Sequence, residues 1–256
     1  MVYIAQRLLA TIPVMGMVAL VVFFILRLTP GDPAAIIAGD TATAEQLEEI
    51  RIRMGLDQPI YVQFGVWISR LLQGDLGNSL ISGVPVMSLI GERIGPTLAL
   101  GLATITLSVI IAVPLGALAA SRQGSLLDRS VMAFSVFGFS APSFVLGYLL
   151  ILLFSIWLNW LPVQGYEPPS AGWPFVERLI LPTLALSASY VALIARISRT
   201  SIIEVMNEDY IRTARAKGLL NFQVLTKHAL LNALLPIVSL SAVQLGTLLG
   251  GSVIVE

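Results

Sequence analysis

An all-α bundle of membrane-spanning helices is the fold class that this sequence predicts. Three observations predict it. Of the 256 residues, 56% are apolar and only 12% charged, against roughly 25% charged in soluble domains. Mean hydropathy is +0.87. Charge-free runs also recur along the chain, long enough for helices that need roughly 20 apolar residues to cross about 30 Å of hydrocarbon. The absence of cysteine removes disulfides and thiolate metal sites together. A net charge of zero gives no electrostatic case for nucleic acid as a partner.

Five spans are predicted, near Leu8 to Leu26, Thr97 to Ala120, Ser130 to Leu158, Leu179 to Ala195 and Ala229 to Val255. Each carries or adjoins a proline (Pro13, Pro114, Pro142, Pro182, Pro236), so bends are expected where neighbouring groups re-satisfy the freed carbonyls. The first run is longer than the core of a cleaved signal peptide, and Leu28-Thr29-Pro30-Gly31-Asp32-Pro33 is a poor cleavage context. A retained N-terminal anchor over 1–28 is the better reading.

Residues 29–96 are too long for a simple connector and read as an extramembrane helical subdomain. Thr43-x-x-Gln46 is a capping-box signature for a helix whose Leu47, Ile50 and Met54 share a face. After Asp57-Gln58-Pro59, a second helix is expected to present Tyr61, Phe64, Ile68, Leu71 and Leu72 as an apolar stripe ending at Gly74. Acidic residues crowd this segment (Asp32, Asp40, Glu45, Glu48, Glu49, Asp57), whereas Arg122, Arg129, Arg196, Arg199, Arg212, Arg215 and Lys217 fall in segments on the opposite side. That asymmetry puts the N-terminus in the cytoplasm, the acidic subdomain outside and, with five spans, Glu256 outside. Trp157, Trp160, Tyr166 and Trp173 are expected to anchor the interface after the third span.

Chemistry is scarce. No segment fits the phosphate-binding loop, so hydrolysis of ATP by this chain alone is excluded. His228 is the sole histidine and lacks the partners of a catalytic base. Spans two to five hold no ionisable interior side chain beyond tyrosine, which argues against an ion-coupled carrier. Scattered hydroxyls remain, and each has an ordinary use in interhelical hydrogen bonding. Of these residues, Ser140, Ser143, Ser239 and Gln244 are chosen as pathway-lining, because Pro142 and Pro236 would free backbone carbonyls beside them. Gly246-x-x-x-Gly250 predicts close helix packing, with a subunit interface as the second reading.

A basic island closes the sequence reading. Asp209-Tyr210-Ile211-Arg212-Thr213-Ala214-Arg215-Ala216-Lys217-Gly218 predicts a short helix with an acid in its first turn and a left-handed glycine stop. Together with His228-Ala229-Leu230 and Asn232-Ala233, it resembles the cytoplasmic loop of permeases of binding-protein-dependent ABC importers, specifically the dipeptide/oligopeptide/nickel group. The resemblance runs in order through Pro30-Gly31-Asp32-Pro33, Gly55-Leu56-Asp57-Gln58-Pro59, Ser140-Ala141-Pro142-Ser143-Phe144, Leu181-Pro182-Thr183-Leu184 and Leu249-Gly250-Gly251-Ser252. Arg212 and Thr213 stand where the general loop motif has Glu-Ala, as in the peptide/nickel subgroup.

The resemblance implies a type I importer permease with its core over 97–256 and a coupling loop near 196–228. It would lie in a bacterial or archaeal inner membrane and carry no cofactor of its own. Implied partners are a second permease, two ATPases that bind ATP and Mg, and an extracytoplasmic solute-binding protein. Asn207 to Lys217 would form the coupling helix. Tyr210, Ile211 and Ala214 would pack against the ATPase, Arg212, Arg215 and Lys217 would steer charge, and Gly218 would end the helix. Cargo would be a dipeptide, oligopeptide, nickel complex or glutathione. Such permeases have a further span, so a chain stopping at Glu256 is expected to be truncated or a fragment. A non-transporting membrane scaffold is the alternative from another class, and a secondary carrier the third.

Overall fold

The computed structural model describes residues 2–28, 32–38, 42–79 and 82–251. Asp40, the Pro30-Gly31 pair, the expected run of the fifth span to Val255 and the exterior placing of Glu256 lie outside the described residues. The chain divides into two compact units, Met1–Gly91 and Glu92–Glu256. Every regular element among the described residues is helical.

In the first unit, α1 (Val2–Leu28) is an apolar rod, α2 (Pro33–Ala38) is short and apolar, α3 (Ala44–Arg53) is short and polar, and α4 (Ile60–Leu72) is amphipathic. The capping box forms as its signature demands: Gln46 N–H donates to Thr43 Oγ1 at 3.3 Å, and Thr43 N–H to Gln46 Oε1 at 2.9 Å. The packed face of α4 keeps Phe64, Ile68 and Leu71 of the expected stripe half-buried and adds Trp67. Phe64 and Trp67 close on the buried Phe23 of α1, with ring centroids 5.2 and 5.7 Å away, whereas Tyr61 and Leu72 are 74% and 83% exposed. A step of three residues keeps Phe64 and Trp67 on one helical face.

α5 (Val86–Ser121) begins in the last residues of the first unit and runs into the second, where α6 (Leu126–Ser140), α7 (Ser143–Leu150) and α8 (Trp173–Met206) are followed by α9 (Asp209–Ala216), α10 (Asn221–Gln223) and α11 (Leu230–Gly251). α5 starts eleven residues earlier than the apolar run predicts. At 1.5 Å per residue its 36 residues extend about 54 Å, more than a bilayer core, which leaves room for the turns that carry Glu92 and Arg93 beyond the hydrocarbon. The third span is broken: α6 and α7, the latter continuing as a π-helix over Ile151–Trp157, meet at 94°. Pro142 causes the break by forcing Ala141 to an extended conformation (φ −76°, ψ 123°). A second π-helix, Val224–Ala229, joins α10 to α11. Nothing in the hydropathy pattern signalled either.

α8 is the hub, with half of its apolar window buried, against 28% for α5 and 22% for the span containing α11. Ala112 of α5, Val191, Ile194 and Ala195 of α8 and Ile237 of α11 form one core cluster. Small residues permit the closest crossing. A Cβ added at Gly116 would lie 2.6 Å from Ser198 Cβ, 2.7 Å from Ala195 O and 2.9 Å from Arg199 N, so only glycine lets the two backbones meet there.

Candidate functional site

The site is built where α8 ends. Asn207 is the C-cap of α8, its N–H turned back to Glu204 O and Val205 O, so it stops the long helix and does not belong to the short one. Glu208 is the extended N-cap of α9, and Asp209 places an acid at the positive end of the helix dipole. At the other end, Lys217 caps with its N–H to Thr213 O at 3.1 Å. Gly218 then turns left-handed at φ +83°, its N–H reaching Arg215 O at 2.9 Å.

The eight residues of α9 have two faces. Ile211 is fully buried and Ala214 6% exposed, both packed with Ile202 of α8, Val224 and Ala229 of the π-helix and Ala233 of α11. Both residues were assigned to a packed contact with a partner; they instead hold α9 to its own chain. A stripe with a step of three must bury somewhere, and here the chain itself supplies the cover. The outward face carries Tyr210, Arg212, Arg215 and Lys217, with Gly218 exposed beyond them. Arg212 pairs with Asp209 at 3.2 Å, leaving Arg215 and Lys217 as the cations without an ion pair on this face among the described residues. Tyr210 is 43% exposed, and its hydroxyl accepts from Asn232 Nδ2 at 2.9 Å. The same Asn232 amide donates to His228 O at 2.9 Å, so one side chain ties α9 to the π-helical joint.

A polar clasp that the sequence reading missed braces this end of the bundle. Arg199 of α8 forks onto Asp128 of α6: its Nε donates to Oδ1 and its Nη2 to Oδ2 at 2.8 Å. Asp128 is 3% exposed and also accepts from Gly124 N–H at 2.9 Å, while Ser125 caps the helix by accepting from Asp128 N–H. The partners lie 71 positions apart, and no local spacing signals them.

The four pathway residues do not converge within this chain. Ser140 lines a pocket of about 250 Å³ between α6 and α8 that reaches Arg196, but its hydroxyl is turned back onto Val136 O at 2.8 Å. Ser143, Ser239 and Gln244 are absent from that lining, and Ser239 is exposed. Ser140 ends α6, Ser143 begins α7, and Ser239 and Gln244 lie on α11; all three helices pack against α8. Gly246 and Gly250 also depart from expectation, since a Cβ at either meets nothing within 4 Å. It is Gly101 of α5 that receives α11, with Leu245 and Leu248 at 3.3 Å.

Residues 112–256 match the family described as the binding-protein-dependent transport system inner membrane component, and residues 1–101 match the N-terminal region of such membrane components. The chain belongs to this family. It is a multi-pass membrane permease subunit of an ABC importer. A Sinorhizobium fredii protein named as a peptide ABC transporter permease, y4tP, is 48% identical over 256 residues, covering 100% of this chain and 82% of that one. The glutathione transport system permease GsiC of Escherichia coli K12 is 43% identical over 254 residues, 99% of this chain and 81% of its own length. A Brucella abortus protein named for a peptide transport system permease is 41% identical over 256 residues, 99% of this chain and 81% of its own.

Proposed function

We propose that this permease forms part of the pathway for peptides or a related small solute such as glutathione or a nickel complex. An extracytoplasmic binding protein delivers the solute, and two partner ATPases holding ATP and Mg drive the cycle with a second, homologous permease. The observation that carries the reading is the two-faced α9, whose apolar side is anchored by Ile211 and Ala214 while Tyr210, Arg212, Arg215 and Lys217 face outward. A helix fixed on one face can transmit a push received on the other, because packed interfaces move between discrete arrangements and do not deform continuously. Peptide and glutathione transport in the names of the relatives supports this cargo class.

The coupling role belongs to the exposed cations. Reversing them together (Arg212→Glu, Arg215→Glu, Lys217→Glu) should abolish co-purification of the ATPases and solute uptake, while membrane insertion and thermal stability stay near wild type. Surface substitutions usually cost within about 0.5 kcal/mol. Retained ATPase binding in a folded triple variant would sink the role. Ala214→Glu is a poorer probe, since its charge would enter the permease's own core.

Orientation follows from the basic residues, with the N-terminus and α9 in the cytoplasm. Glu45→Cys should react with an impermeant thiol reagent from outside and Lys217→Cys only from inside, readily scored in a chain without cysteine. The reverse labelling refutes the orientation.

The pathway set of Ser140, Ser143, Ser239 and Gln244 gathers in this reading only when a second permease completes the cavity. Ser143→Trp should then block uptake with ATPase association intact. Full transport after tryptophan substitution at each of the four in turn places the cavity elsewhere.

A further inference from the structure

The second unit holds a groove of about 610 Å³ that is no part of the pathway set. Its apolar walls come from the end of α5 (Val113, Leu118), the end of α8 (Met206) and the joint leading into α11 (Phe222, Leu225, Leu230). Most of that wall belongs to two helices long and apolar enough to cross a membrane, Val86–Ser121 and Asn221–Gly250. Apolar surface also leaves the groove along α5. Ile110, Pro114 and Leu118 recur every four residues on one helical face, and all three are exposed.

The polar part of the lining lies where both spans end. Ser121 is the last residue of one and Asn221 the first of the other. The Ser121 hydroxyl turns back onto Leu118 O at 2.9 Å and that of Thr226 onto Phe222 O at 2.8 Å, so both are spent on the backbone. The Asn221 amide and the Arg215 guanidinium are not spent: neither side chain has a hydrogen-bond or ion-pair partner among the described residues. Arg215 is the single charged residue on the lining, and no carboxylate offsets it there.

A free inorganic anion would answer Arg215 and leave the apolar walls bare. A neutral acyl chain would cover the walls and leave the guanidinium without a counter-charge. An amphiphile with an anionic head does both, and walls set in two spans make lipid the amphiphile at hand. We propose that the groove holds an anionic glycerophospholipid, its acyl chain along Val113, Leu118 and Leu225 and its phosphate on Arg215, with Asn221 donating to a second oxygen. A guanidinium meets phosphate through paired, charge-assisted hydrogen bonds, and basic pockets between spans at the cytoplasmic face suit such headgroups. The site goes beyond the transport reading and does not need it. Its consequence does: lipid would tie α9 to the membrane through Arg215, whose five donors allow a phosphate contact while Arg212 and Lys217, off this lining, stay with the ATPase.

The permease chain, without ATPases, is placed in phosphatidylcholine nanodiscs carrying a trace of phosphatidylglycerol with a photoactivatable acyl chain, and labelled peptides are mapped by mass spectrometry. Labelling should concentrate on 113–121 and 221–230. Unlabelled phosphatidylglycerol should displace it about fivefold more effectively than phosphatidylcholine, the worth of one cation near an anionic headgroup, and inorganic phosphate should not displace it. Arg215→Gln should bring phosphatidylglycerol down to the level of phosphatidylcholine while the groove is still labelled, and Arg215→Lys should keep part of the preference. Lys227→Gln, which removes a neighbouring cation off the lining, should keep all of it. Equal displacement by the two lipids in the wild type means a boundary lipid only, and an equal loss in Lys227→Gln means diffuse charge; either overturns the site, as does displacement by inorganic phosphate. Labelling should also persist in the complex with the second permease and the ATPases. Its disappearance there would give the groove to a protein partner and overturn the lipid. Since the first arms contain no ATPase, their outcome leaves the coupling role to its own test.

Discussion

Gly116→Val should abolish accumulation of folded permease, leaving little monodisperse protein after detergent extraction and a transition well below the wild-type melting temperature. The atoms that an added Cβ would meet at 2.7 and 2.9 Å are Ala195 O and Arg199 N, parts of the α8 backbone that cannot rotate away. Ser198, at 2.6 Å, is a fully buried side chain with no free volume to enter. Relief therefore requires α5 and α8 to separate, which opens the Ala112, Val191, Ile194 and Ala195 cluster. Overpacking that a side chain can absorb costs about 1–3 kcal/mol; a backbone clash in the hub of the bundle belongs at or above that limit. Gly246→Val is the control, because a Cβ there meets nothing within 4 Å. Equal stability of the 116 and 246 variants would show that the α5 and α8 crossing is looser than its geometry.

Local features were legible in the sequence because their causes are local. The Thr43 and Gln46 box, the Gly218 stop and a bend at Pro142, though not its 94° size, each follow from a few adjacent residues whose backbone options are few. Hydropathy located the spans but misjudged the start of α5, since a charge ends an apolar run without ending a helix that has already left the membrane. The misread parts are those where two surfaces compete for one side chain. In an eight-residue helix the pattern Ile211, Ala214 says that a face is buried and leaves open by what; the partner was expected, and the chain's own Ile202, Val224 and Ala233 proved to be the cover. Likewise, Gly246 and Gly250 promise a close approach without naming the approaching element, and within this chain it is Gly101 that serves. The Asp128 and Arg199 clasp had no sequence signal, because the positive-inside pattern already accounted for each charge separately.

That clasp carries the other large effect. Asp128→Ala should lower stability by about 3–5 kcal/mol, the range for removing one partner of a buried ion pair, with the lower end expected because Arg199 keeps 21% of its side chain in reach of solvent. The loss has two parts. The guanidinium is stranded against α6, and the Gly124 N–H loses the acceptor that shapes the turn before that helix. Asp128→Leu combined with Arg199→Met should recover much of the loss, because an apolar pair removes both the desolvation of the charges and the stranded cation. Full loss in the double variant would mean that the turn, and not the ion pair, is what Asp128 supports. The clasp is also joined to the crossing at Gly116, whose added Cβ would lie 2.9 Å from the backbone nitrogen of Arg199 itself. Any shift of α8 that makes room at Gly116 must carry the Arg199 guanidinium off its carboxylate. Gly116→Ala and Asp128→Ala should therefore be strongly non-additive, the second costing less once the first has loosened the fork, by more than the about 0.5 kcal/mol within which independent sites add. Strict additivity in thermal or denaturant melts would show that α8 yields at 116 by local bending, without moving the arginine that α6 holds.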